Sequence, residues 1–238
     1  MESSFTGKSV LIAMPLREDD ARFAHVDARL IPCILANITT LAGAGIPVDY
    51  HQAVSPGLGL DQARNESVRL FLEGTKHTHL FFWDADTLLK PDAILKLLQR
   101  NLPVVSGLYM ERSMLHRPVI IDIDLDVETR KIKGGAKFRY EDISQVPEDQ
   151  LVECSVTPGG VFLVERSVFE KVKPPWFAFP RFAVGEDVYF SLRLTTAGYK
   201  QYVDTAVEGI HLVQHPAASK QALEEWAKAY GYKTTKPT

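Results

Sequence analysis

Asp84 and Asp86 flank a single alanine where the apolar run Leu80-Phe81-Phe82-Trp83 stops and Lys90-Pro91-Asp92-Ala93-Ile94-Leu95-Lys96-Leu97-Leu98 begins. The run reads as a buried strand and the later segment as a helix, so two carboxylates stand at a strand's carboxyl end. Carboxylates held away from bulk water are costly without a cation or hydrogen bonds to compensate them. A hard divalent ion such as Mg2+ or Mn2+ takes oxygen ligands and can hold a diphosphate at the same time. The competing reading is a turn and helix cap ahead of Lys90-Pro91.

The triplet alone carries little information. Asp122-Ile123-Asp124 and Asp124-Leu125-Asp126 repeat it in a stretch where acids alternate with Ile and Leu. That alternation is the pattern of a half-buried strand whose aspartates face water. Asp84-Ala85-Asp86 differs by its position, which the surrounding elements must create.

Those elements alternate. Residues 8–16 form a β-branched and aliphatic run halted by Pro15; 26–45 carry helical spacing despite Pro32, with a stop at Gly43 and Gly45. A second strand spans 46–54, and a helix over 61–75 has Asp61 as cap and Gly74 as stop. A strand at 78–84, a helix at 90–100 and a strand at 102–109 follow. Such alternation predicts a parallel sheet with right-handed crossovers and helices on both faces, a Rossmann-like half. Ligands of these sheets bind beyond the carboxyl ends of the strands, so loops 15–22, 55–61 and 84–87 are expected to meet at one crevice. After residue 112 alternating, turn-rich segments at 117–143 and 151–165 predict antiparallel strands added to the sheet. A helix ending at Gly198, a strand at 201–212 and a terminal helix at 219–233 complete the pattern. The expected fold class is α/β: one domain with a mostly parallel central sheet flanked by helices and an antiparallel portion in the C-terminal half.

With 238 residues, 45% of them hydrophobic, the chain can bury a substantial core. Its net charge of -3 provides no general attraction for nucleic acid or anionic lipid. The first residues have no basic region followed by an apolar one, and no stretch reaches the length of a membrane span. A cytoplasmic location is expected, with peripheral membrane attachment left open. Cys33 and Cys154 lack metal-ligand spacing and read as two reduced thiols.

The strand-end triplet resembles the D-x-D motif of GT-A fold nucleotide-sugar glycosyltransferases. Residues 60–73, "LDQARNESVRLFLE", are similar to the "ARN" helix of family 2-like members, and 104–112, "VVSGLYMER", to their strand after the metal site. Residues 159–172 and 185–212 are similar to their acceptor half. Together these cover residues 8 to about 215 in matching order. The resemblance implies a nucleotide-sugar-binding half at 8–110, an acceptor half at 111–215, and a C-terminal helix and tail at 216–238.

It also implies roles. Pro15, Leu16 and Arg17 would border the base or ribose of the donor, a UDP-, GDP- or TDP-sugar, with Arg64 and Asn65 nearby. A guanidinium suits a diphosphate; the other reading of Arg64 is a solvated helix residue paired with Asp61 or Glu66. Asp86 would bind Mn2+ or Mg2+, with Asp84 reaching the metal or the ribose. The resemblance places a third ligand at His211, with His215 as competitor. Asp187 would remove the proton from an acceptor hydroxyl, and Glu186 would bind the acceptor or take that role; the plain alternative is two acids favouring a helix N-terminus. Gly159 and Gly160 would allow close backbone approach, and Gly160, Trp176 and Glu186 would face a glycan or other hydroxyl-bearing acceptor. Phe177, Phe179 and Phe182 accompany Trp176 in a proline-rich loop, where a hydrophobic plug is the competing reading.

The expected reaction is sugar transfer to an acceptor hydroxyl by direct displacement with inversion, although retaining enzymes of this fold carry D-x-D and histidine ligands too. Two other classes stay open. A nucleotidyltransferase acting on sugar phosphates would carry a glycine-rich basic loop after the first strand, where "MPLREDDARF" stands at 14–23. A non-catalytic carbohydrate- or nucleotide-binding protein would keep the acids without turnover.

Overall fold

The computed structural model describes residues 5–17, 26–55, 59–111, 116–126, 131–132, 135–179 and 185–212. The first elements are β1 (Val10–Arg17), α1 (Leu30–Gly43), β2 (Val48–Ser55), α2 (Leu60–Arg69, extended by a π-helical turn Leu70–Gly74) and β3 (His79–Trp83). Then come β4 (Thr87–Leu89), α3 (Ala93–Gln99) and β5 (Val104–Tyr109). Four two-residue strands follow, β6 (Ile121–Asp122), β7 (Leu125–Asp126), β8 (Lys131–Ile132) and β9 (Lys137–Phe138). The chain continues through β10 (Leu151–Cys154), β11 (Val161–Glu165), α4 (Arg166–Lys171), α5 (Glu186–Thr196) and β12 (Gln201–His211). The predicted helix at 219–233 lies outside the described residues.

Eight strands form one sheet in the order β10-β12-β5-β11-β3-β1-β2, with β4 paired to β12. β1 is parallel to β2 and β3, and β12 is parallel to β5. β11 opposes both β3 and β5, so β1, β2, β3, β5 and β12 all point one way. The mostly parallel sheet with an antiparallel portion is the fold class the sequence predicts. Apolar side chains cover both faces. Ile12, Phe81, Trp83 and Val105 join α1 and α3 on one side; Leu11, Phe82, Phe162 and Val164 join α2, α4 and α5 on the other.

Four expectations are corrected. The segment up to residue 110 does not close as a Rossmann-like half, because β11 from the second half inserts between β3 and β5. Val161, Phe162, Leu163 and Val164 are all at most 2% exposed, and a strand apolar on both faces is stable only inside the sheet. The described residues of 117–143 add no strand to the sheet and make two short ribbons, β6-β9 and β7-β8. Pro15 does not halt β1: the strand runs on to Arg17 along β2, while its pairing with β3 ends at Ala13, leaving an edge-like stretch that tolerates proline. Asp61 is not the cap of α2; Gly59 holds that position and Asp61 lies in the first turn. Pro32 is accommodated in the first turn of α1, where its missing N–H has no intrahelical partner to lose. Cys33 and Cys154 are free thiols.

The parallel strands bring the ends of β1, β2, β3, β5 and β12 to one edge. β12 reaches it through a bulge between Asp204 and Glu208. The Asp204 carboxylate is fully buried there and accepts from Arg100 Nε at 2.7 Å and Nη2 at 2.9 Å. Removing one partner of a buried pair strands the other charge. Arg100→Ala is therefore expected to cost about 3 kcal/mol in urea unfolding. Adding Asp204→Asn to that variant should recover part of the loss; a double variant less stable than the single one would contradict this account.

Candidate active site

The triplet turns out of the sheet immediately after β3. Asp84 N–H donates to Gly160 O at 2.9 Å, and Thr87 N–H returns to Asp84 O at 3.2 Å, closing a turn that leads into β4. β4 then pairs antiparallel with the end of β12, with His211 opposite Thr87. This pairing carries His211 to Asp86: Nε2 lies 3.4 Å from Asp86 Oδ1. At the other ring nitrogen, His211 Nδ1 is 2.9 Å from Met110 O. A carbonyl only accepts, so Nδ1 carries a proton and donates it, and Nε2 points towards the carboxylate. A proton on Nε2, or a metal ion, can join ring and carboxylate there. Metal-ligating histidines characteristically donate their other N–H in this way.

Arg64, projecting from α2, is 1% exposed and lies beneath this turn. Its Nη2 donates to Asp84 Oδ1 at 2.8 Å, its Nε to Glu186 Oε1 at 2.9 Å, and its Nη1 to Gly159 O at 2.9 Å. Phe82 and Phe177 cover the guanidinium at 5.3 and 5.9 Å. Burial disfavours its charge, but Asp84 and Glu186 outweigh that cost and hold it firmly protonated. Arg64 is not the solvated partner of Asp61 or Glu66: its described contacts turn the guanidinium towards Asp84 and Glu186.

Close packing explains the paired glycines. A Cβ on Gly160 would sit 2.5 Å from Asp84 Oδ2, and one on Gly159 would sit 3.1 Å from Arg64 Nη2. Gly160 therefore borders Asp84. Asp187, half-buried at the start of α5, adds a third carboxylate. Its Oδ1 accepts from Val188 N–H at 2.8 Å. Burial, with the neighbouring Glu186 charge, pushes its pKa up to about 6 against the opposing pull of Arg64.

Tyr109, at the end of β5, is a site residue that sequence reasoning missed. Its ring meets His211 edge-on with centroids 5.3 Å apart. Burial, reinforced by Asp84 and Asp187, holds the phenol neutral, well above its ordinary pKa. The only signal was its place at a strand's carboxyl end.

Other predicted residues stand apart. Asn65 spends its amide on the loop after α4, accepting from Trp176 N–H at 3.0 Å and Phe177 N–H at 3.1 Å and donating to Asp61 O and Phe177 O. Trp176, expected to face an acceptor, is 5% exposed, with its indole N–H bonded to Val172 O and Phe169 O. The apolar environment around Phe169 wins over exposure, and among the described residues of that loop Phe179 is the exposed aromatic. Pro15 and Leu16 are buried at the end of β1; the Arg17 side chain, Phe182 and His215 lie outside the described residues.

Among the described residues no group of three or more His, Cys, Asp or Glu side chains is arranged to hold a metal ion. Asp86 and His211 supply two ligands. Ligands each roughly 2.1 Å from an ion and 90–110° apart lie about 3.0–3.4 Å from one another, so the pair fits a shared ion. Mg2+ and Mn2+ commonly take one or two protein ligands and complete their shell with phosphate and water. Among the described residues no helix is long and apolar enough to cross a membrane.

Arg64→Met leaves Asp84 and Glu186 without their buried cation, and should cost about 3–5 kcal/mol in urea unfolding. A loss below about 1 kcal/mol would mean that the clamp does not hold these elements together.

No protein-family model matches the sequence, and no curated protein matches it. Among solved structures, that of A197 from STIV is 18% identical and covers 87% of this chain and 86% of its own, with a TM-score of 0.53. That of GalNAc-T7 with UDP, GalNAc and Mn2+ is 13% identical and covers 94% of this chain and 48% of its own, with a TM-score of 0.49. The chain shares its fold with A197 from STIV, and at this identity the likeness is one of fold alone.

Proposed function

We propose that the chain is a metal-dependent GT-A glycosyltransferase that moves a sugar from a nucleoside-diphosphate sugar to an acceptor hydroxyl, by direct displacement with inversion. One observation carries the reading: His211 Nε2 faces Asp86 Oδ1 at 3.4 Å while a backbone carbonyl occupies Nδ1. A two-ligand seat of this kind, at the edge where five strands end, suits an ion shared with a diphosphate.

Asp86 and His211 would hold Mn2+ or Mg2+, and the mixed imidazole and carboxylate set favours Mn2+ over Ca2+. When bound, the ion neutralises charge gathering on the departing nucleoside diphosphate. Asp84 is fixed by Arg64 and faces the ribose or the ion. Arg64 acts through Asp84 and Glu186, holding them in place. Asp187 takes the proton from the acceptor hydroxyl; a carboxylate lifted to about 6 is a stronger base than an ordinary aspartate and is still ionised at neutral pH. Glu186, bonded to Arg64, orients this helix start. Gly160 borders the place where donor and acceptor would meet. The donor would lie over residues 8–110, with Pro15, Leu16 and Arg17 along its base or ribose, and the acceptor over 111–215.

Release of nucleoside diphosphate from UDP-, GDP- and TDP-sugars tests this, with Mn2+, Mg2+ or EDTA present. One donor should turn over only with metal, and Asp86→Ala should abolish the reaction. Asp187→Asn should lower turnover by about 10²-fold or more. Metal-dependent donor binding without turnover would instead make the chain a binding protein.

The base must be ionised to act, so activity should rise with pH through a midpoint near 6 and then level off. In a kcat/KM profile this acid limb should vanish in Asp187→Asn. A limb that survives the substitution belongs to another group and removes Asp187 from the role.

A further inference from the structure

The later turns of α5 and the chain leaving α4 enclose a cavity of about 470 Å³. Lys171, Lys173 and Arg193 line it with Tyr189, Thr196 and Leu192, and no Asp or Glu does. On a chain whose net charge is -3, three cations around one hollow run against the overall balance. Among the described residues none of the three is ion-paired, whereas Arg64, Arg100, Arg117 and Arg139 each are.

Arg193 is fixed before any ligand arrives. Its Nη2 donates to Lys173 O at 2.7 Å and its Nη1 to the Tyr189 hydroxyl at 3.2 Å, with the guanidinium 5.7 Å from the centre of the Tyr189 ring. These bonds use two of about five N–H donors. Nε is buried and has no hydrogen-bond partner among the described residues. A buried donor left unmade is costly, and an oxygen atom reaching this guanidinium would offset that cost. Lys173 gives one N–H to Glu170 O at 2.8 Å, and the Lys171 ammonium stands 4.8 Å from the centre of the Tyr199 ring.

The cavity is separate from the carboxylate cluster. With 3.6 residues per turn, Tyr189, Arg193 and Thr196 share one face of α5, and Asp187 leaves the helix on roughly the opposite one.

We propose that this cavity binds the phosphate group of a small phosphorylated molecule. A phosphomonoester carries about -1.5 to -2 charges near neutral pH and has three acceptor oxygens, which suits two ammonium groups and a planar guanidinium with N–H donors to spare. The volume lies in the usual range for small-molecule sites, and Leu192 and the Tyr189 ring offer an apolar surface to the ligand's carbon body. The assignment does not depend on the transferase reading.

Calorimetry in EDTA, which keeps divalent metal out of the carboxylate site, tests this with glycerol 3-phosphate, inorganic phosphate and glycerol as probes. Both phosphates should bind at one site, and glycerol should not bind. Arg193→Gln should raise the glycerol 3-phosphate Kd about tenfold or more, and Lys171→Gln about threefold or more. Arg139→Gln, which removes a cation already paired with Asp122, should leave it unchanged. Arg193 also ties α5 to Lys173, so Lys171→Gln decides the matter if Arg193→Gln does not fold. No binding of either phosphate to the wild type at millimolar concentration overturns the proposal, as does binding that Arg193→Gln and Lys171→Gln retain in full. Vesicles of phosphatidic acid in phosphatidylcholine form the last arm. If they bind through Lys171 and Arg193 while glycerol 3-phosphate does not, the cations face a lipid surface and the small-molecule assignment is overturned.

Discussion

A guanidinium without water around it must find its counter-charges inside the protein, and Arg64 finds them in elements far apart in sequence. Its partners come from the end of β3, the glycine turn before β11 and the first residue of α5. The bond to Glu186 alone spans 122 residues. Each partner would be stranded if any one moved, so the cluster holds strand end, turn and helix start as a unit. Buried ion pairs add little net stability for their desolvation cost, and what this one secures is placement.

The same cluster sets the electrostatics. Asp84, Glu186 and Asp187 surround one guanidinium, so the site has more negative than positive charge. Burial and the neighbouring Glu186 charge together make the ionisation of Asp187 harder. The surplus of carboxylates also makes an additional cation favourable near Asp84 and Asp86, where His211 Nε2 faces a carboxylate oxygen.

Placement of His211 depends on a second constraint, the three-residue β4. Its antiparallel pairing to the end of β12 sets Thr87 opposite His211 and so puts Asp86 beside the ring. Met110, just past β5, fixes the tautomer, and Tyr109 packs on the ring. The bulge in β12, anchored by Arg100 and Asp204, adjusts the strand between its pairing with the middle of β5 and with the end of β5.

Sequence alone determined what is written locally. Apolar periodicity marked the strands and helices, and an abrupt change to Asp84-Ala85-Asp86 placed two acids at a strand end, because burial of a strand and exposure of its end are properties of neighbouring residues. Glu186 and Asp187 could likewise be placed at a helix start. Tertiary structure decided the rest: β11 between β3 and β5, Arg64 turned inward, Trp176 buried and Tyr109 brought against His211. Each of these depends on a partner many residues away, whose distance and burial no local pattern encodes. A charged side chain on a helix face reads as solvated until the fold supplies carboxylates opposite it, and an aromatic in a proline-rich loop reads as exposed until a core forms beneath it.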